Sequence, residues 1–170
     1  GNDEILTGYA DAGYLSDPHR ARSQTGYVFT YAGAAISWRS TKQTLVATSS
    51  NHTEILALHE ASRECVWLRS LISHVRSSCR LPGQTKEPTV LYEDNAACIA
   101  QIQKGYIKGD RTKHISPKFF YTHELHGHEI EVTKVRSDQN LADLFTKSLG
   151  TTTFGRLVEG IGLRRLHSIM

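Results

Sequence analysis

Short runs rich in apolar residues, separated by polar segments, predict three β-strands in the first part of the chain. The segments Ile5 to Ala10, Gly26 to Tyr31 and Ala35 to Arg39 are rich in β-branched and aromatic residues, which favour strands. The turn dipeptide Ala32-Gly33 separates the last two, and the polar segment from Leu15 to Ser23 is expected to be a loop. Because the links are short, these strands should be antiparallel neighbours.

A helical pattern of apolar residues begins after Ser49. Apolar residues then recur at steps of three or four, which predicts one buried face of a long helix. The members of this face are Ile55, Leu58, Ala61, Cys65, Leu68, Ile72 and Val75. The tripeptide Ser49-Ser50-Asn51 is the expected helix start, and Asn51-His-Thr-Glu54 fits a capping box.

Strands and helices alternate in the rest of the chain. Val90 to Tyr92 is a short apolar run, and Asp94-Asn95 can stop it and cap a helix that starts at Ala96. Ser116-Pro117 has the form of a helix start, and Glu129 to Val135 alternates as a fifth strand. A helical crossover between the fourth and fifth strands favours their parallel pairing.

The order of elements predicts an α/β fold. We expect a five-stranded mixed sheet, with three antiparallel strands followed by parallel ones, flanked by helices. Asn140 should begin a helix that carries Leu141, Leu144, Phe145 and Leu149. A last short helix and a basic end are expected after Gly150.

The composition is that of an ordinary soluble globular protein. The 170 residues are 39% hydrophobic and 22% charged, and the net charge of +3 permits a nucleic-acid partner without requiring one. No apolar run approaches the ~20 residues that span a bilayer. The acidic start at Gly1 is unlike a signal peptide and favours a piece of a longer polypeptide. Cys65, Cys79 and Cys98 lack paired spacing, so we expect reduced thiols.

Four acidic residues stand at the ends of predicted elements. Asp11 follows the first strand, and Asp94 follows the fourth. Glu54 and Asp143 lie in the first turns of helices. Each has a structural explanation, since Asp11 could begin a turn and the other three could serve helix caps. On this topology, however, all four would lie near one edge of the sheet.

Clustered carboxylates need neutralising protons or cations. Two carboxylates ~4 Å apart repel by about 4 kcal/mol at an effective dielectric of about 20. Ligands that are all oxygen favour Mg²⁺ or Mn²⁺ over zinc. Two such ions roughly 3.5–4 Å apart can clamp the attacking and leaving oxygens of a phosphoryl displacement. The four acids therefore indicate metal-dependent phosphodiester chemistry.

A series of motifs carries a family resemblance. In chain order they are Gly8-Tyr-Ala-Asp11-Ala, Ser23-Gln-Thr-Gly-Tyr-Val-Phe29, Ala35-Ile-Ser-Trp38, Ser49-Ser50 with Glu54, Asp94-Asn95, Arg111-Thr-Lys-His-Ile115 and Leu141-Ala-Asp143-Leu-Phe-Thr-Lys147. The series closely resembles the ribonuclease H domain of copia-type long-terminal-repeat retrotransposon polyproteins, especially the plant ones. It runs from about Ile5 to Leu149 and continues weakly beyond.

The resemblance implies a ribonuclease H-like fold, with residues 1–150 as the catalytic domain and residues 151–170 as a C-terminal extension. It implies endonucleolytic cleavage of the RNA strand of RNA–DNA hybrids during reverse transcription, giving 5′-phosphate and 3′-hydroxyl ends. The cofactor would be two Mg²⁺ ions, or Mn²⁺ in their place. The family's catalytic and metal-binding carboxylates map onto Asp11, which would bridge both ions, and onto Glu54, Asp94 and Asp143.

The resemblance also implies partners and a location. The partners are the RNA–DNA hybrid and the reverse transcriptase polymerase domain of the same polyprotein, and neither a membrane nor an organic cofactor is expected. The location is the cytoplasm, within retrotransposon particles, or the nucleus.

Two positions depart from the family. The residue two before the catalytic Glu is often acidic in copia-type relatives, and here it is His52, which we expect to point elsewhere on the helix. Cellular ribonucleases H often carry a mobile His after the fifth strand, and the segment from Arg136 to Asn140 has none. His114 could replace it, although a phosphate contact or simple solvent exposure is the stronger expectation.

Substrate binding requires phosphate contacts and a way to sense the RNA 2′-hydroxyl. Ser49, Ser50 and Asn51 resemble the family's small polar residues that meet the minor groove, and Asn95 is a further candidate. Helix capping explains these four equally well. A basic run could hold the DNA backbone or be only a solvated face. Its members include Lys104, Lys108, Arg111, Lys113, His114 and Lys118.

Three other functions stay open. A catalytically weak or domesticated nucleic-acid-binding module would share the fold, although loss of an acid would be expected in it. An integrase-like nuclease usually needs three acids and lacks this motif series. A zinc site could form from His123, His126 and His128, but three such histidines without cysteine partners are more often surface residues.

Overall fold

The strands and helices follow the order that the sequence predicts. The computed structural model describes residues 4–17, 22–83, 86–107 and 113–164. The strands are β1 (Thr7–Asp17), β2 (Arg22–Tyr31), β3 (Ala34–Lys42), β4 (Thr89–Glu93) and β5 (Ile130–Lys134). The α-helices are α1 (Ser50–Ser78), α2 (Ala96–Lys104), α3 (Ser116–Leu125) and α4 (Thr151–Gly160). Short 3₁₀ helices, Ser137–Gln139 and Leu141–Phe145, precede α4.

The strands form one mixed sheet in the order β3-β2-β1-β4-β5. β1, β2 and β3 are antiparallel neighbours, and β4 is parallel to both β1 and β5. Parallel neighbours need a crossover, which α1 provides before β4 and which α2 and α3 provide before β5. The predicted α/β fold with a five-stranded mixed sheet is confirmed.

Apolar side chains cover both faces of the sheet. Val28 and Phe29 are adjacent in β2 and therefore point to opposite faces. Phe29 belongs to a buried cluster with the predicted apolar face of α1, although Val75, at the end of that face, is 48% exposed. Val28 belongs to a second cluster with Leu157 and Ile161 from the region of α4. Within the described ranges, no helix is both long and apolar enough to cross a bilayer.

β1 and β2 extend beyond the ends that the sequence pattern predicts. Asp11, expected at the end of the first strand, lies inside β1 and pairs with Gly26. Within the expected loop from Leu15 to Ser23, residues 15–17 and 22–23 are strand, because pairing resumes between Asp17 and Arg22 after a bulge. Residues 18–21 of this segment lie outside the described residues. A strand ladder is held by backbone hydrogen bonds, so a polar segment with no hydrophobic alternation can still extend a hairpin.

Two helix caps differ in detail from the predicted ones. The Ser49 hydroxyl caps α1 by accepting a hydrogen bond from the His52 N–H at 3.3 Å, so the capping box predicted from Asn51 to Glu54 is wrong. Asn95 caps α2, since its Oδ1 accepts hydrogen bonds from two backbone N–H groups of the first turn, each at 3.0 Å. The carboxylate of Asp94 is therefore not the cap.

Candidate metal centre

Asp11 and Asp94 lie side by side because β1 and β4 are parallel neighbours. The last paired residues of the two strands are Tyr9 and Tyr92, and each acid follows its tyrosine by two positions. Asp11 is 1% exposed, whereas Asp94 is half-buried. The pair thus has one member in the interior of the sheet and one open to solvent.

The second turn of α1 brings Glu54 to the same place. One carboxylate oxygen from each of Asp11, Glu54 and Asp94 lies within 4.8 Å of the other two. Glu54 is 7% exposed, and its Oε2 is buried without a hydrogen-bond partner. Three distant parts of the sequence therefore present oxygens to one point, as predicted.

Burial makes this cluster unfavourable while its members are charged. The pKa of Glu54 is raised to about 9, first by burial and then by the charges of Asp11 and Asp94. A divalent cation among these oxygens would neutralise the repulsion and use the unpartnered Oε2. The donor set is all oxygen, which fits a hard ion such as Mg²⁺ or Mn²⁺.

Asp143 is positioned by Asn140, which lies three residues before it. It lies in the 3₁₀ helix Leu141–Phe145, which replaces the longer helix predicted to reach Leu149. Asn140 caps this helix as predicted, because its Oδ1 accepts a backbone N–H at 3.1 Å. Its Nδ2 donates to the carbonyl oxygen of Ala10 at 2.8 Å. The cap thereby fastens the segment to β1.

A lysine connects Asp143 with Asp11. The Nζ atom of Lys147 lies 2.7 Å from Asp143 Oδ1 and 3.1 Å from Asp11 Oδ1. The Thr146 hydroxyl donates a hydrogen bond to the other oxygen of Asp11. Burial raises the pKa of Asp143 to about 6, although the hydrogen bond from Lys147 opposes this shift. All four predicted acids therefore lie in one cluster. Asp11, Glu54 and Asp94 approach one another directly, and Lys147 links Asp143 to Asp11.

The absence of a side chain at Gly26 leaves space for the segment that carries Asp143 and Thr146. A Cβ atom at Gly26 would lie 2.5 Å from Thr146 Cγ2 and 3.1 Å from the Ala142 carbonyl oxygen. Since Gly26 pairs with Asp11, the missing side chain lets the segment lie against β2 beside that acid.

Glu93 has no role in the sequence-based prediction, yet it is fully buried next to the cluster. Its Oε1 accepts hydrogen bonds from the Asp94 N–H at 3.1 Å and the Asn95 N–H at 3.0 Å. Its Oε2 has no partner. Burial, and then the charge of Glu54, raises the pKa of Glu93 well above its usual range. The hydrogen bonds to Glu93 thus hold the junction between β4 and α2.

The sequence carries a signal for each missed residue. Glu93 is an acid at a buried position of a strand whose alternate members, Thr89 and Leu91, are also buried. Lys147 follows Asp143 by four residues, the spacing at which side chains meet on a helix. Neither signal shows that the residue lies near Asp11 of β1, because that proximity joins distant parts of the sequence.

The candidate substrate-binding residues near α1 and α2 are mostly engaged within the protein. The oxygens of Ser49 and Asn95 serve as caps, while Ser50 is exposed at the start of α1. Asn51 donates to Gln101 Oε1 at 2.7 Å, and its own Oδ1 is buried without a partner. Of these four, Ser50 is the one whose side chain faces solvent.

Of the basic candidates, His114 lies close to the start of α1. Lys113 and His114 are exposed, and Arg111 lies outside the described residues. Burial, and then the charge of His114, lowers the pKa of His52, which places His114 near the first turn of α1. His52 itself makes a 2.8 Å hydrogen bond between its Nδ1 and the Thr48 hydroxyl, apart from the carboxylates as predicted.

Two of the three histidines of the zinc alternative make separate hydrogen bonds. His123 Nδ1 is bonded to the Ile102 carbonyl oxygen at 2.6 Å, and His126 Nδ1 accepts from the Val132 N–H at 3.3 Å. In the part of the chain that the structure describes, the group of acids, histidines and cysteines close enough to share an ion is that of the three carboxylates. The geometry gives the zinc alternative no support.

The chain is similar to segments of plant transposon polyproteins. It is 33% identical over 164 residues to the retrovirus-related Pol polyprotein from transposon TNT 1-94 of Nicotiana tabacum, an alignment that covers 96% of this chain and 12% of that protein. It is 30% identical over 167 residues to the Pol polyprotein from transposon RE1 of Arabidopsis thaliana, covering 98% of this chain and 11% of the relative. The chain therefore spans only about a tenth of these relatives. No family model matches it.

Solved structures of the same fold are ribonucleases H. LC11-RNase H1, determined in complex with an RNA/DNA hybrid, matches with a TM-score of 0.59 at 17% identity, over 83% of this chain and 93% of that one. Similarity at this level of identity establishes the fold alone. The predicted ribonuclease H-like fold is confirmed.

Proposed function

We propose that this chain, which is homologous to a segment of the Pol polyproteins of copia-type retrotransposons and has the ribonuclease H-like fold, is a metal-dependent endoribonuclease. It cleaves the RNA strand of RNA–DNA hybrids during reverse transcription and leaves 5′-phosphate and 3′-hydroxyl ends. The observation that carries this proposal is the approach of Asp11, Glu54 and Asp94 to within 4.8 Å.

The arrangement of the acids supports a site for two divalent ions, Mg²⁺ or alternatively Mn²⁺. Asp11 belongs both to the group with Glu54 and Asp94 and to the pair with Asp143, so it is the residue that would touch both ions. Bound ions would supply Lewis acids that activate water and stabilise the departing 3′-oxygen.

The protein's own groups set the direction of approach. Asp11 and Glu54 are buried, so the half-buried Asp94 marks the open side of the centre. Ser50 at the start of α1 is exposed, and so are Lys113 and His114, so these three residues are available to contact the hybrid. We assign phosphate contacts to the two basic residues, together with Arg111, because cationic side chains dominate affinity for a nucleic-acid backbone.

The proposed partners follow from the relatives. Since the chain matches only a segment of Pol polyproteins, we infer that it works beside the polymerase domain of the same polyprotein. The proposed location is the cytoplasm, within retrotransposon particles, or the nucleus. A non-catalytic hybrid-binding module of the same fold is the alternative, and it predicts binding without cleavage.

The direct test is a hybrid labelled on each strand in turn. With Mg²⁺ the RNA strand should be cut and the DNA strand left intact, and EDTA should stop the reaction. Asp94→Asn should abolish cleavage, whereas Glu124→Gln, which removes an exposed acid of α3, should not. Cutting of the DNA strand, or binding without any cutting, would overturn the proposed function.

A further inference from the structure

Lys147 lies where a cation would bind between two of the acids. Its ammonium is 2.7 Å from Asp143 Oδ1 and 3.1 Å from Asp11 Oδ1. The lysine side chain is 39% exposed, whereas those of Asp11 and Asp143 are 1% and 10% exposed. The charged end of a partly solvated side chain is thus inserted between two buried carboxylates.

The two halves of the centre are therefore neutralised to different degrees. In the half formed by Asp11 and Asp143, Lys147 provides a positive charge by direct contact. In the half formed with Glu54, the Oε2 atom is buried and has no hydrogen-bond partner. The demand for an added cation is greater in the second half.

We propose that Lys147 is a built-in counter-ion that occupies the Asp11–Asp143 half of the centre until a divalent ion displaces it. The first divalent ion would bind among Asp11, Glu54 and Asp94. A second ion would bind only after the Lys147 ammonium has moved away from Asp11 and Asp143. This inference rests on the proposed function, because it concerns the same metal centre.

The geometry permits such a displacement. A lysine has a flexible four-carbon stem and a compact charge, and 39% of this side chain already faces solvent. An ammonium and a divalent ion repel each other, and they would compete here for the same Asp11 and Asp143 oxygens. A substrate phosphate near the open side would attract the displaced ammonium, which makes binding of the second ion depend on substrate.

The test is calorimetric titration of the substrate-free protein with Mn²⁺ and, separately, with Mg²⁺. The wild type should bind one ion per chain in the accessible concentration range. Lys147→Met keeps the stem and removes the charge, so it should bind a second ion at least about tenfold more tightly than the wild type does. Lys147→Arg should behave like the wild type. Lys86→Met, which removes an exposed lysine elsewhere, is the matched control.

Each outcome separates this inference from the proposed function. If the wild type and Lys147→Met both bind one ion with equal affinity, or if the wild type already binds two, Lys147 does not control the second site and the inference is wrong. If the wild type binds no ion, the metal centre itself fails and the proposed function fails with it. A thermal melt of each variant establishes folding, and Lys147→Gln replaces the Met variant should that one not fold.

The Mg²⁺ dependence of cleavage supplies a second readout. Lys147→Met should reach half-maximal rate at a Mg²⁺ concentration roughly tenfold below that of the wild type, because the competing charge is absent. A residue that only holds the fold together would lower the rate at every Mg²⁺ concentration without shifting the midpoint, and that result would contradict the inference.

Discussion

Asn140 donates its side-chain amide to the carbonyl oxygen of Ala10, and this buried 2.8 Å hydrogen bond joins residues that are 130 positions apart. Asp11 directly follows Ala10, and Asp143 lies in the 3₁₀ helix that Asn140 caps. One side chain therefore fixes two of the acids relative to each other.

Replacing Asn140 by alanine should disturb both stability and activity. The change removes the bond to Ala10 and the cap of the 3₁₀ helix, and it leaves buried polar groups unpaired. We expect a loss of about 2–4 kcal/mol in the free energy of unfolding and a large loss of cleavage rate, measured by urea denaturation and the hybrid assay. Gln139→Ala, at an exposed neighbour, should change stability by no more than about 0.5 kcal/mol. Equal effects of the two substitutions would contradict this role.

Gly26→Ala should displace the segment that carries Asp143 and Lys147. The new methyl group would meet Thr146 Cγ2 at 2.5 Å, so the segment must shift away from β2. Overpacking of this kind costs about 1–3 kcal/mol, and we expect the affinity for Mn²⁺, measured by calorimetry, to fall as well. Gly83→Ala meets no atom within 4 Å and serves as the control. Normal metal binding by Gly26→Ala would show that the segment does not need this space.

Glu93 should tolerate an amide but not an apolar side chain. Burial raises the pKa of Glu93 and so favours its neutral form. Glu93→Gln keeps a neutral side chain and the Oε1 acceptor, so it should leave stability and cleavage nearly unchanged. Glu93→Leu removes the acceptor for the N–H groups of Asp94 and Asn95. It should destabilise the protein by about 2–3 kcal/mol, as measured by thermal and urea unfolding. A Gln variant as impaired as the Leu variant would mean that Glu93 acts as a charged group.

The raised pKa of Glu54 predicts how the stability of the metal-free protein depends on pH. Its pKa in the folded state, about 9, lies above its ordinary value of 4.5, so the folded protein binds the proton more tightly than the unfolded chain. Stability therefore falls as pH rises through this range. The window from about pH 7 to pH 9 lies above the range in which His59, whose pKa is lowered to about 4, has the opposite effect. Glu93, whose pKa is also raised by burial, acts in the same direction as Glu54, so the difference between the wild type and Glu54→Gln isolates Glu54.

The measurement is urea unfolding in EDTA across that window. We expect a loss of about 2 kcal/mol for the wild type and a smaller loss for Glu54→Gln. Added Mg²⁺ should stabilise the wild type more at pH 9 than at pH 7, since the ionised cluster binds the ion better. A wild-type stability that is constant or rises with pH in EDTA would be inconsistent with a protonated Glu54.

The sequence predicts the parts of the centre that follow from local rules. Asp94 is found at the end of β4 and Glu54 near the start of α1, because strand ends and helix starts carry recognisable residues. The parallel pairing of β1 and β4 then brings Asp11 beside Asp94. A short-range pattern plus topology is enough for these three acids.

The features that the sequence does not predict depend on long-range contacts. Two contacts join distant parts of the chain: the hydrogen bond from Asn140 to Ala10 and the ion pair between Lys147 and Asp11. No local periodicity of the sequence predicts them. The extension of β1 past Asp11 depends on backbone pairing with β2, which polar side chains do not reveal. Glu93 differs from these contacts, since the strand pattern indicates that its position is buried but does not show which groups surround it.

The central claim is that Asp11, Glu54, Asp94 and Asp143 converge to bind divalent ions, and thermal melting of Asp94→Asn tests it most directly. Removing one charge from the cluster should raise the metal-free melting temperature in EDTA by roughly 2–8 °C, equivalent to about 1–2 kcal/mol for a domain of this size. Mg²⁺ should raise the melting temperature of the wild type and of the control Glu124→Gln, but much less that of Asp94→Asn. Two results together would contradict the account. Asp94→Asn would have the same melting temperature as the wild type in EDTA, and Mg²⁺ would raise the melting temperatures of all three proteins equally.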